Sequence, residues 1–147
     1  MATNKRALFR AGLFAGIEDW RTDFNAAESD ERNHVRQSYQ ARPATFHPPL
    51  AYVGPIAERI VTHPQLLRIF TGQLVVVRGL YDNAETSEWL DRAVDSLALY
   101  VVDHPRMVST DTFLTVIGTE DAELNLGNDT IYAAAILNLS LNTAGRG

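Results

Sequence analysis

The chain has no cysteine and a single lysine, and each scarcity closes off chemistry. Without cysteine there is no disulfide scaffold, no thiolate nucleophile and no Cys-ligated metal. Of the 13 basic residues only Lys5 is lysine; the others are arginine. A GC-rich genome produces that bias, and arginine is also the cation best suited to interfaces, being planar, weakly hydrated and multiply donating. No window approaches the roughly 20 apolar residues that a membrane span requires. Glycines, Glu18 and Asp19 interrupt the apolar N-terminal pattern, so it does not read as a secretory signal. Serine is sparse and never sits in a Gly-x-Ser-x-Gly elbow, and neither Gly-x-x-x-x-Gly-Lys nor Gly-x-Gly-x-x-Gly occurs. A hydrolase nucleophile and a phosphate cradle therefore lack a sequence anchor. There is no His-Glu-x-x-His either. Three of the four histidines, His47, His63 and His104, precede proline, which suits turns and caps better than a metal site. A net charge of −5 weighs against nucleic-acid binding, which needs a clustered basic surface.

What is present reads as one folded domain. The length of 147 residues allows a real core, and 46% hydrophobic with 21% charged residues is ordinary for a globular protein. Leu74 to Val77 form a short unbroken apolar run rich in β-branched residues, which predicts a strand buried on both faces. Gly79 and Asp82-Asn83 break it. Leu90, Ala93, Val94, Leu97 and Val101 then recur at i, i+3, i+4, i+7 and i+11, the stripe of an amphipathic helix over Glu85–Val102. Asp82 with Glu85 resembles a capping box, Glu88 is placed to pair with Arg92 one turn on, and His104-Pro105 closes the helix.

Elsewhere, residues 3–20 predict a helix with Phe9, Leu13, Gly16, Ile17 and Trp20 on one stripe. Residues 21–45 are polar and of mixed charge, too long for an ordinary connection; an arm, a mobile loop or a weak helix would fit, and a loop or arm that orders against a partner is the preferred reading. Leu50 to Val53, led by two prolines, reads as a strand at an edge. Residues 58–70 read as a turn into the buried strand. Thr112–Ile117 predicts a strand, 119–129 a polar hairpin connection, and Thr130–Asn142 the longest strand of the chain. The fold class is thus α+β: a mainly antiparallel sheet of about four strands against two helices, with extended loops or arms.

Candidate functional residues come from the last two strands. In Thr130–Asn142 the odd positions Ile131, Ala133, Ala135, Leu137, Leu139 and Leu141 should face the core. The even positions divide into apolar Tyr132, Ala134 and Ile136, then polar Asn138, Ser140 and Asn142. Half of the outward face is unsuited to water, which marks a contact surface or a face covered by another element. Glu120, Asp121 and Glu123, with Asp129, gather in the expected hairpin, without the Asp-x-Asp-x-Asp-Gly spacing of a calcium loop. They read as an acidic loop tip, and as a candidate subunit or partner contact. No residue is assigned to catalysis, to a metal or to a cofactor.

The order of these features, with Pro48-Pro-Leu-Ala-Tyr-Val-Gly-Pro55, then Val75-Val-Val-Arg-Gly79, Asp82-Asn83 and Trp89-Leu-Asp-Arg-Ala-Val-Asp-Ser-Leu97, resembles the tail terminator (tail completion) proteins of long-tailed bacteriophages, related to the minor tail protein U group. The likeness covers about residues 45–142 and, in pattern only, the first helix. It implies a non-enzymatic structural virion protein without cofactor, assembled in the host bacterial cytoplasm. Six copies would form a ring that caps the tail tube, stops its polymerisation and meets the head-completion or connector proteins. DNA would be passing cargo in the lumen, and no membrane is involved. Another neck adaptor is the alternative, and a small-ligand-binding α+β domain or enzyme a further one.

Overall fold

The computed structural model describes residues 4–61, 67–80, 84–125 and 130–143. Its elements are α1 (Lys5–Ala27), β1 (Gln37–Tyr39), β2 (Leu50–Val53), β3 (Ala57–Val61), β4 (Leu67–Leu80), α2 (Ala84–Asp103), β5 (Thr112–Asn125) and β6 (Ile131–Thr143), with a 3-10 turn at Glu31–Asn33. The strands form one sheet in the order β1-β2-β4-β6-β5, and β3 pairs with the first part of β4 beside β2. Among the described residues only the β1–β2 pair is parallel. The fold is therefore α+β and mainly antiparallel as expected, but with six strands rather than about four.

Both helices lie on one face of the sheet, and both expected stripes are buried. Phe9, Leu13, Ile17 and Trp20 from α1 meet Leu90, Ala93, Val94, Leu97 and Val101 from α2 over Leu74, Val76 and the odd positions of β6. Leu74, Val75, Val76 and Val77 are all buried, alternating between this core and a smaller one on the opposite face. Ile131 departs from the expected inward set, being 38% exposed at the end of β6 beyond the helices.

The first helix runs a further two turns, to Ala27, because its stripe continues in Phe24. That ring stacks on Trp20 at 5.1 Å and meets Trp89 edge-on at 5.9 Å. The expected arm at 21–45 is thus corrected from its start. Its remainder is also tied down: Asn25 Nδ2 donates to the Val35 carbonyl at 2.9 Å while Asn25 Oδ1 accepts from the Val35 N–H at 2.8 Å. Val35 is fully buried, and β1 follows directly. As β1 flanks β2, the Leu50–Val53 strand is interior instead of an edge, and all four of its residues are buried. Part of 58–70, expected to be a turn, is the outer strand β3, whose Glu58 pairs with Arg68 across the hairpin. His63-Pro64 and the Asp82-Asn83 cap lie outside the described residues. Arg92 reaches Glu28 at 3.2 Å in place of Glu88.

The segment after α2 is pressed against α1. A Cβ added to Gly12 would stand 2.8 Å from the Val108 Cα, and one on Gly16 would stand 2.6 Å from the Met107 Sδ. At Gly12, where the near atom is backbone, only glycine allows so close an approach. β5 begins there, and it runs to Asn125, so residues 119–125 are strand and not hairpin connection. Its register against β6 shifts at a bulge between Val116 and Gly118. A second bulge, between Val77 and Gly79, interrupts β4.

Candidate functional site

The outward face of the sheet, opposite the helices, holds most of the residues singled out from sequence. Directly paired residues of antiparallel strands point to the same side. Glu120 is paired with Ile136, Ala122 with Ala134 and Leu124 with Tyr132, so these six share the outward face. Asp121 pairs with Ala135 and Glu123 with Ala133, which places both acids on the helix side. The acidic cluster is thus divided between two faces by strand alternation. It is not one loop tip, and Asp129 lies outside the described residues.

The apolar half of the outward face is largely covered by the chain itself. Phe46, from the segment between β1 and β2, packs edge-on against Tyr132 at 5.2 Å and stacks on Tyr52 at 6.3 Å. Ala134 is 1% exposed beneath this lid, with Leu50, Val75 and Val77 around it. Of the two readings of this patch, contact surface or covered face, Ala134 takes the second and offers no open surface. Arg42 closes the lid from outside, its guanidinium carbon 5.5 Å from the Phe46 ring centre. Burial raises the pKa of the Tyr52 hydroxyl, and the nearby Arg42 charge opposes that rise.

Beside the lid the face opens into a groove. One part, of ≈ 390 Å³, is bordered by Arg10, Arg42, Tyr52, Gln73, Leu124 and Ile136. A second part, of ≈ 340 Å³, shares Pro55 and Gln73 with it and continues past Ile117 and Asn138. Arg10 is fixed on the wall by donating to the carbonyls of Gln40 at 2.7 Å and Val53 at 3.2 Å. The floor is a relay: Gln73 Nε2 donates to Asn138 Oδ1 at 3.0 Å, and Asn138 Nδ2 donates to Glu120 Oε1 at 3.2 Å. Of the six expected interface residues, Ile136 lines this groove and Glu120 reaches it through Asn138; Tyr132 is half-covered, and Asp121 and Glu123 are exposed behind it.

A second cavity, of ≈ 540 Å³, lies at the start of α2 and was not foreseen. Arg78 leans over the Trp89 ring at 5.2 Å, and burial draws its pKa down. Trp89 Nε1 donates to the Asn33 carbonyl at 2.9 Å. Arg32 is held by Asp30 at 2.8 Å, and that pairing lowers the Asp30 pKa to about 2. Arg92 is held by Glu28. The cavity joins residues 30–33 to 78–92, distant in sequence and without a common motif, so no local signal announces it. Asp30, Arg32 and Arg92 are paired within the chain, and among the described residues the cavity holds no nucleophile beside a base.

Among the described residues, no group of three or more His, Cys, Asp or Glu is placed to hold a metal ion. No described helix is long and apolar enough to cross a membrane. His104 acts locally, its Nδ1 2.8 Å from the Tyr100 carbonyl at the end of α2. No protein-family model matches this chain, and no curated protein matches it.

Proposed function

We propose that this protein is a tail terminator of a long-tailed bacteriophage, a non-enzymatic subunit that forms a hexameric ring at the end of the tail tube. There it stops tube polymerisation and receives the head-completion or connector protein, with DNA passing through the lumen. The observation that carries this reading is the division of labour between the two sides of the sheet. One side is sealed by both helices; the other leaves a groove beside a 14-residue outer strand, β5, which bears exposed Phe113 and Ile117. A subunit with two dissimilar surfaces is what heterologous, ring-closing contact requires. The resemblance of residues 45–142 to tail terminators supplies the rest.

The test is the mass of the purified protein in solution, with electron microscopy of the protein added to tail tubes. Expected are particles of six times the 16.3 kDa chain mass, seated at tube ends and arresting tube growth. A monomer that leaves tube growth unchecked overturns the proposal. Ile136→Glu, which puts a charge into the groove wall, should weaken ring assembly while the monomer stays folded by circular dichroism. An unchanged oligomer removes Ile136 from the interface. The Arg78–Trp89 cavity favours the small-ligand alternative, which predicts a monomer or dimer whose melting temperature rises with a bound anion or zwitterion.

A further inference from the structure

Charge along this chain is segregated, and the topology turns the segregation into two opposed sides. From residue 36 to residue 80 the only charged residues are Arg36, Arg42, Arg59, Arg68 and Arg78 against a single acid, Glu58. These residues build β1 to β4, one half of the sheet. From residue 84 to residue 125 nine acids stand against Arg92 and Arg106. They build α2, which packs across β4, β6 and β5, and β5 itself, the opposite edge of the sheet. β6, between the halves, carries no charge. The outermost residues are exposed: Glu120, Asp121 and Glu123 on β5, and Arg36, Arg42 and Arg59 around β1 and β3. None of these six is in an ion pair among the described residues. Each side also shows bare apolar area, Ile117 at 60% exposure on the acidic side and Ile60 at 55% on the basic one.

We infer that copies of this chain join head to tail, the acidic β5 edge of one copy seating on the basic β1–β3 side of the next. Among the described residues, 115–124 of β5 pair only with β6, so this edge offers backbone groups to a neighbour. Two-fold pairing of β5 with β5 would set acid against acid, and pairing of the opposite sides would set arginine against arginine. Like-charge contacts of this kind are strongly disfavoured, whereas the mixed contact is complementary. Heterologous contact is the arrangement left, and it closes into a ring when the rotation permits. The inference deepens the ring reading above and rests on it for the identity of the assembly.

The experiment uses a charge swap in the full chain. Asp121→Arg with Glu123→Arg reverses the charge at those positions of the β5 edge; Arg36→Glu with Arg42→Glu reverses it at the facing positions beside β1. Each double variant alone should lose assembly, its dissociation constant rising at least about tenfold. An equimolar mixture should recover it, because alternating copies restore opposite charges at every contact. Wild-type assembly should likewise weaken at least about tenfold between about 0.05 M and about 0.5 M sodium chloride. All four positions are exposed, and circular dichroism checks that each variant is folded; the salt series needs no variant. Variants that assemble normally, or a mixture that stays dissociated, overturn the inference. Tube capping is measured separately: a variant-insensitive ring that still caps tubes sinks this interface and keeps the terminator reading. A wild-type chain that is monomeric at low salt and fails to cap sinks both.

Discussion

Replacing Gly12 with alanine measures how firmly the segment after α2 is seated on α1. In an isolated helix the change would stabilise by about 1 kcal/mol, since alanine is the better helix former. Here the new methyl would stand 2.8 Å from the Val108 Cα and 2.9 Å from its Cγ1. The obstacle is backbone, and it is braced. The Leu114 N–H donates to the Pro105 carbonyl at 2.8 Å and the Met107 N–H to the His104 carbonyl at 3.1 Å, while Ser109 bonds both Asp111 and Thr112. Overpacking against a fixed neighbour costs about 1–3 kcal/mol, and more when the backbone must move. The net expectation is a loss of about 1–2 kcal/mol, which lowers the melting midpoint by roughly 2–8 °C in a chain of this size. Gly16→Ala is the internal control. Its methyl would meet the Sδ and Cε of Met107, the movable end of a flexible side chain, so relief is cheap and the helix-propensity gain survives. Urea unfolding with an unchanged slope should therefore rank Gly16→Ala at or slightly above wild type and Gly12→Ala clearly below. If Gly12→Ala proves as stable as Gly16→Ala, the 104–112 segment is not held as described.

Two further outcomes are expected. Asn25→Leu strands the buried N–H and C=O of Val35 and should cost about 1–3 kcal/mol, with hydrogen exchange at Val35 accelerating more than at α2; unchanged protection there would refute the clamp. The Asp30 carboxyl should titrate at about 2 instead of its ordinary 3.8, so its pairing with Arg32 persists above pH 4 and is lost as the pH falls through about 2. In Arg32→Gln the midpoint, followed by carboxyl NMR, should return toward 3.8, and a midpoint that stays near 2 would assign the shift to some other cause.

Elements whose burial is one-sided or complete were legible because periodicity reports burial. The α1 and α2 stripes, the Leu74–Val77 run and the inward set of β6 from Ala133 to Leu141 all took their expected places. The missed elements are those whose stability comes from partners remote in sequence. β1 has only three residues, and its order depends on the Asn25 clamp and on β2. β3 is exposed at Arg59 and Ile60, so its alternation carries no clear apolar face. In β5 the acids at 120, 121 and 123 look like a solvated loop, although Ala122 and Leu124 keep the two-residue period underneath them. The outward patch on β6 was visible in sequence, but its lid was not. Phe46 lies in a proline-rich segment that no pattern connects to Tyr132.

The bulge between Val116 and Gly118 fixes how every residue beyond it is read. Were the pairing to continue in step from Val116 opposite Leu139, Asp121 would fall opposite Ala134 and Glu123 opposite Tyr132. Two carboxylates would then point at the Phe46 lid, while Ala122 and Leu124 would turn toward the helices. One extra residue moves the whole stretch into the other frame and so keeps charge out of the smaller core. The strand tip is in this sense punctuated by count: closing the bulge without shortening the strand would invert the seven positions from Thr119 to Asn125 at once, a far larger insult than any one substitution among them.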